Sequence, residues 1–171
     1  MKRISVLMFL VVLMFLMGVV SADAQGVQRV VYMEEYEPIY SIDIDNRIWD
    51  VEIDDGDIIG VSEDGMMWFF LGDARVAGDL KASADQIDET IKESFTNIEV
   101  IDTLKDFTIN ALPAHAYEAT AKQNGKDVIL FVVLFQVETD DIGVLLFVMD
   151  PLAETVHFDN IMKMATSVTR R

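Results

Sequence analysis

Acidic side chains recur at every second position in two short stretches of the chain. The five carboxylates belong to Asp43, Asp45, Asp50, Glu52 and Asp54. Because the side chains of a β-strand alternate between its faces, each stretch places its carboxylates on one side of a strand. Calcium takes roughly six to eight oxygen ligands at about 2.4 Å. The pattern therefore predicts a calcium or other cation site, although its spacing is not that of an EF-hand loop. The alternative is a solvated strand face that keeps a sheet edge soluble.

The chain offers few residues for the familiar catalytic motifs, since it has two histidines and no cysteine. His115 lies in a strand pattern, and His157 precedes the apolar stripe of a helix pattern. The sequence shows no Ser-His-Asp or two-histidine spacing, so we expect no enzymatic activity. The alternative is a hydrolase whose site is assembled from residues distant in the sequence. A hydrophobic pocket rimmed by His115 or Tyr117 would favour that alternative.

The first 24 residues have the pattern of a signal peptide. Lys2 and Arg3 precede an apolar run over residues 4–20, and small residues follow at Ala22 and Ala24. We therefore expect cleavage after residue 24 and export to the periplasm or the extracellular space. The alternative is an uncleaved N-terminal membrane anchor, because about 17 apolar residues is near the lower limit for a membrane span.

The charge of the chain limits its partners. It carries 13 basic and 30 acidic residues, a net charge of −17. This charge repels nucleic acid and anionic lipid and favours cations or basic partners. The absence of cysteine excludes disulfides, iron–sulfur clusters and thiol catalysis. The apolar run over 128–137 is short enough for a buried strand, so we expect no membrane insertion of the mature domain.

The residues after the leader have the length of one domain. Residues 25–37 read as an N-terminal lead-in, with either a short entry strand or an extended segment around Tyr32 to Tyr40, and residues 38–171 read as a single domain. Up to residue 71 the pattern has a period of two. Asp55 with Gly56, and then Glu63 to Gly65, supply turns between short antiparallel strands.

A helix is predicted over 83–96, because Ser83 and Gln86 form a capping pair and Ile87, Ile91 and Phe95 share one stripe. Five further strands are predicted over 99–102, 107–110, 114–122, 128–138 and 144–149. A second helix follows, with an apolar stripe from Phe158 to Val168 and two arginines, Arg170 and Arg171, at its C-terminal end.

Strand 128–138 is apolar on both faces, so both faces must be covered. With two substantial helices available, this predicts the α+β class: an antiparallel sheet with one helix layer on each side, an α/β/α sandwich.

The order of these features resembles the PsbP-like superfamily, which includes the extrinsic photosystem II subunit P and the Ran-binding nuclear import factors. The resembling parts are the hairpin containing Ile48 and Trp49, helix residues 91–95, strand 114–122 with its Gly125 turn, strand pair 128–149 and the closing helix. The resemblance implies an antiparallel sheet flanked by helices and a role in binding, and it transfers no catalytic motif. We therefore expect an exported, non-enzymatic accessory or binding domain that engages a protein or envelope partner.

Overall fold

The computed structural model describes residues 26–34, 37–54, 56–74, 80–138 and 141–171. The predicted signal peptide and Asp55 lie outside these ranges. Within them, no helix is long and apolar enough to cross a membrane. The described residues form two antiparallel sheets and two helices, which confirms the α+β class.

The smaller sheet has three strands in the order β1-β2-β10. They are β1 (Val27–Glu34), β2 (Glu37–Asp45) and β10 (Thr169–Arg170). Residues assigned from the sequence to a lead-in thus form β1, which pairs with β2 along its length. The Tyr32 ring is buried and stacks on the Tyr40 ring with centroids 4.9 Å apart. Residues 27–34 therefore contribute a strand to the small sheet.

The larger sheet has seven antiparallel strands in the order β3-β4-β5-β9-β8-β7-β6, so β3 and β6 are its edges. The strands are β3 (Trp49–Asp54), β4 (Asp57–Ser62), β5 (Met67–Ala74), β6 (Thr96–Ile109), β7 (Leu112–Gln123), β8 (Lys126–Gln136) and β9 (Ile142–Met149). The two short strands predicted at 99–102 and 107–110 are parts of one strand, β6. Its pairing with β7 is interrupted by three register shifts, which explains why the alternation of apolar and polar residues predicts two separate strands.

The central strands are buried on both faces, as predicted. In β8, the side chains from Ile129 to Phe135 are at most 2% exposed. Phe131 and Phe135 enter one hydrophobic cluster, and Leu130 and Leu134 enter the cluster on the opposite face. Fully burying such a side chain stabilises the fold by about 1.5–3 kcal/mol.

The two helices are α1 (Leu80–Ser94) and α2 (Ala153–Thr166), and they contribute to opposite faces of the large sheet. On the first face, α2 shares the cluster with the small sheet, which contributes Tyr40, Ile42 and Ile44. On the second face, α1 packs against β6, β7 and β8. The layers therefore differ from the predicted pair of helix layers, because a second sheet covers part of one face.

The prediction of a helix reaching the C-terminal arginines was wrong. Helix α2 ends at Thr166, and Thr169 and Arg170 pair with β2. The Asn110 side-chain amide donates to the carbonyl oxygens of Thr166 and Val168, at 2.9 and 2.8 Å. These contacts satisfy carbonyl groups at the helix end and direct the chain into β10.

Candidate functional site

The five predicted metal ligands lie on strands of two different sheets. Asp43 and Asp45 belong to β2 in the small sheet, and the other three belong to β3, an edge strand of the large sheet. Alternation in each strand places the carboxylates on one face of that strand, as the sequence predicted. The structure does not place them in one sheet.

Both carboxylates on β2 accept hydrogen bonds from arginine side chains. Asp43 accepts two hydrogen bonds from Arg29, at 2.6 and 2.8 Å. Asp45 accepts two from the Arg47 guanidinium, at 2.9 and 2.6 Å. The hydrogen bond from the Arg47 side chain lowers the pKa of Asp45, against the opposing effect of burial. Paired arginines satisfy the oxygens that a cation would need.

Within the described residues, no group of three or more histidine, aspartate or glutamate side chains is arranged to hold a metal ion. Calcium binding at the acidic strand face stays a prediction, and the remaining carboxylates are those of β3.

The carboxylates of β3, those of Asp50, Glu52 and Asp54, are exposed. They point to the same face of the large sheet as Ile59 and Val61, their neighbours on β4, because Asp50 pairs with Val61 and Glu52 pairs with Ile59. None of the three forms an ion pair within the described part of the chain. They form a row of unneutralised negative charge along the sheet edge.

Next to this acidic row, the same sheet face carries partly exposed apolar side chains. Val61 is 45% exposed. The register of β4, β5 and β9 brings it together with four partly exposed neighbours, Ile59, Trp68, Phe70 and Leu146. Helix α1 lies over β6, β7 and β8 at the other side of this face. We call these five residues the apolar half-face.

The apolar half-face was not predicted from the sequence, although a signal for it was present. Residues 66–71 are apolar on both faces, which demands cover on both faces. A helix of 15 residues spans about 22 Å and one helix covers a width of about 10 Å. Strands lie about 4.8 Å apart, so a single helix cannot cover seven strands.

At the N-terminal end of β3, a depression of about 540 Å³ adjoins the acidic row. Its lining comprises Asn46, Trp49, Asp50, Val61, Ser62 and Glu63. The two carboxylates in this lining favour a positively charged group there.

A serine, an aspartate and a histidine meet near this depression. Asp64 Oδ1 lies 2.7 Å from Ser62 Oγ, and Asp64 Oδ2 lies 2.6 Å from His157 Nε2. Hydrogen bonds from Ser62, His157 and the Met66 amide lower the pKa of Asp64 to about 2. The aspartate lies between the other two residues, whereas a hydrolytic triad places histidine next to the serine. The contacts join the β4–β5 turn to α2, which is a structural role.

His115 and Tyr117 lie on the sheet face that α1 covers. Tyr117 is buried, and burial followed by its hydrogen bond with Asp88 raises its pKa. Burial, with a smaller effect of Lys105, lowers the pKa of His115. The Tyr117 hydroxyl therefore links helix α1 to the sheet through Asp88. Because its pKa is raised, the hydroxyl stays protonated at neutral pH and cannot accept a proton as a general base.

No protein-family model and no curated protein matches the chain. Solved structures do match. The protein of unknown function PA94 from Pseudomonas aeruginosa has a TM-score of 0.56 at 14% identity, over 84% of this chain and 97% of that one. The Ran-binding protein Mog1p from Saccharomyces cerevisiae has a TM-score of 0.55 at 14% identity, over 84% of this chain and 94% of that one.

A third structure, LpqN from Mycobacterium tuberculosis, described as involved in cell envelope biogenesis, has a TM-score of 0.42 at 13% identity. It covers 84% of this chain and 91% of that one. The likeness to PA94 and Mog1p shows that the chain has the PsbP-like fold.

Proposed function

We propose that this PsbP-like chain is an exported, non-enzymatic accessory domain that binds a protein partner through the apolar half-face. The observation that carries the proposal is the exposure of Val61 and its neighbours beside a row of carboxylates. Export is supported by the leader sequence. We regard the layers as a variant of the α/β/α sandwich in which the small sheet assists α2.

The half-face has the composition of a protein interaction surface. Aromatic residues such as Trp68 and Phe70 are enriched at interfaces because they bury a large area with few rotatable bonds. Contiguous exposed apolar side chains bordered by charge mark such surfaces on soluble proteins. The acidic row selects a partner whose apolar patch is bordered by lysine or arginine.

The comparison with Mog1p supports a binding role only through the fold. That protein is described as Ran-binding, so the PsbP-like architecture can serve protein recognition. Its identity of 14% transfers neither the partner nor the binding residues.

The test is photo-crosslinking in cells that naturally express the protein. A photoreactive amino acid replaces Val61 in one variant and Val100 in the control, because Val100 is 54% exposed on the opposite edge strand. We expect one specific partner to be captured from position 61 and not from position 100. Binding of the purified partner should weaken at least about tenfold in Val61→Lys, which leaves the core intact.

Equal capture from both positions, or unchanged affinity in Val61→Lys, would contradict the proposal. Self-association of the purified domain through position 61 would instead make the half-face a homodimer interface. Sedimentation velocity of the unmodified protein distinguishes that outcome.

A further inference from the structure

We propose that the outer edge of β3 accepts an extended partner segment in which basic and apolar residues alternate, as an additional strand of the large sheet. The inference goes beyond the proposed function and specifies the chemistry of the segment that this edge binds. It concerns the sheet edge, which is a different surface from the apolar half-face.

The backbone of β3 is open on one side. In the described part of the chain, β3 pairs with β4 and with no other strand. The register runs from Trp49 opposite Ser62 to Asp54 opposite Asp57 without a shift. A regular, unpaired edge of six residues is a template for another strand.

The register also identifies the groups that face outward. The Glu63 amide donates to the Ile48 carbonyl, so these two residues form a hydrogen-bonded pair. Hydrogen-bonded and non-hydrogen-bonded pairs alternate along an antiparallel ladder. The amide and carbonyl groups of Trp49, Val51 and Ile53 therefore point away from β4, toward the open edge.

The opposite edge of the sheet is protected and β3 is not. Strand β6 has three register shifts and a positive φ of 57° at Asp106. Bulges of this kind twist an edge away from an incoming strand. The absence of shifts in β3 makes it the better edge for strand addition.

The side chains of β3 specify what the added strand must carry. On one face, the exposed carboxylates of Asp50, Glu52 and Asp54 favour lysine or arginine at the facing cross-strand positions. On the other face, Ile53 is 68% exposed and Val51 is partly buried, which favours apolar residues. The depression beside Asp50 and Glu63 has room for one further basic side chain.

The same charges reject a second copy of this chain. Antiparallel pairing of two β3 strands would oppose two rows of carboxylates, and like charges directly opposite each other are destabilising. Charge thus disfavours edge-to-edge association of identical molecules and favours a basic strand.

The test uses a capped synthetic heptapeptide in which lysine and valine alternate. The control peptide has the same composition, with its lysines and valines in two separate blocks. Binding is measured by calorimetry at about 50 mM salt, and hydrogen exchange of backbone amides is followed by NMR. We expect the alternating peptide to slow exchange at Val51 and Ile53 at least about tenfold, and the block peptide to leave it unchanged.

The decisive variant is Ile53→Pro, which removes an outward N–H without removing a hydrogen bond to β4. Ile53→Ala is the matched control, since it removes the side chain and keeps the N–H. We expect Ile53→Pro to weaken binding of the alternating peptide at least about tenfold relative to Ile53→Ala. If Ile53→Pro fails to fold, the exchange measurement on the unmodified protein still decides.

Equal binding of the two peptides, unchanged exchange at Val51 and Ile53, or no binding would overturn the inference. The result is independent of crosslinking at position 61. Capture of a partner at position 61 without strand addition would support the proposed function and contradict only this inference. Strand addition without capture at position 61 would support the β3 edge as a binding site and contradict partner binding through the apolar half-face.

Discussion

Gly143 on β9 lies opposite Phe135 on β8, and the Phe135 ring covers the glycine. A Cβ atom at position 143 would lie 2.2 Å from Phe135 Cε2, far inside van der Waals contact. The ring cannot move freely, because Phe135 is fully buried and meets the Tyr40 ring edge-on with centroids 4.9 Å apart. Gly143→Ala should therefore strain the core although it adds one methyl group.

Overpacking of a buried site costs typically about 1–3 kcal/mol, so we expect Gly143→Ala to lower the free energy of unfolding by about 2 kcal/mol. The intrinsic preference of alanine over glycine within a strand acts in the opposite direction and offsets less than about 1 kcal/mol. The measurement is urea unfolding followed by tryptophan fluorescence, since Trp49 is buried in the same cluster.

A second variant separates steric strain from other causes. Phe135→Leu removes the ring that meets the new methyl group, so it should lower stability alone and relieve the strain of Gly143→Ala in the double variant. We expect a favourable coupling of at least about 1 kcal/mol in the double-mutant cycle. Strictly additive effects, or a Gly143→Ala variant within about 0.5 kcal/mol of the parent, would refute the steric argument.

Three further predictions concern charge and the C-terminal region. The pKa of Asp64, about 2 in the fold against 3.8 ordinarily, means that its stabilising effect is complete above about pH 4 and is lost as the pH falls toward 2. The side chain is 39% exposed, so solvent screens part of this effect. We expect Asp64→Asn to lower the free energy of unfolding at pH 7 by about 1 kcal/mol and to reduce its dependence on pH between about 2 and 4. Urea unfolding from pH 2 to 7 measures both. If calcium binds the acidic strand face, millimolar calcium should raise the thermal midpoint in a way that Asp50→Asn with Glu52→Gln abolishes, because these carboxylates form no ion pair within the described residues. A rise that magnesium reproduces, or that survives both substitutions, would speak against that site. Asn110→Ala should lower the free energy of unfolding by about 1 kcal/mol, because it removes the donor of two carbonyl groups at the end of α2; unchanged thermal stability would show that water replaces the amide.

The elements that the sequence predicts best are those with a dense apolar signal. Strand 128–138 is observed as Lys126–Gln136, and its burial on both faces follows from an unbroken apolar run. The helix predicted over 83–96 is observed as Leu80–Ser94, because Ile87 and Ile91 repeat at helical spacing. Its predicted start was wrong, since Ser83 lies inside the helix and does not cap it. In both cases a local pattern agrees with the tertiary environment.

The features that escaped prediction depend on contacts between distant residues. Strand β10 has two residues and no periodicity of its own. It forms because Asn110 binds the end of helix α2 and because β2 pairs with Thr169 and Arg170. Arg29, which neutralises Asp43 across the β1–β2 pair, is recognisable only once the strand register is known. Local composition cannot show which of several nearby basic residues will meet a given carboxylate.

The pairing of β2 with β10 has a consequence for the order of folding. Ser41 and Thr169 are separated by 128 residues, and their hydroxyl oxygens lie 2.9 Å apart. Closing so long a loop costs more entropy than forming the hairpins of the large sheet, which join neighbouring strands. We therefore expect the hairpins of both sheets to form early and β10 to pair with β2 late. In native-state hydrogen exchange, β10 and the adjoining end of α2 should open together, at a lower free energy than β8 and β9.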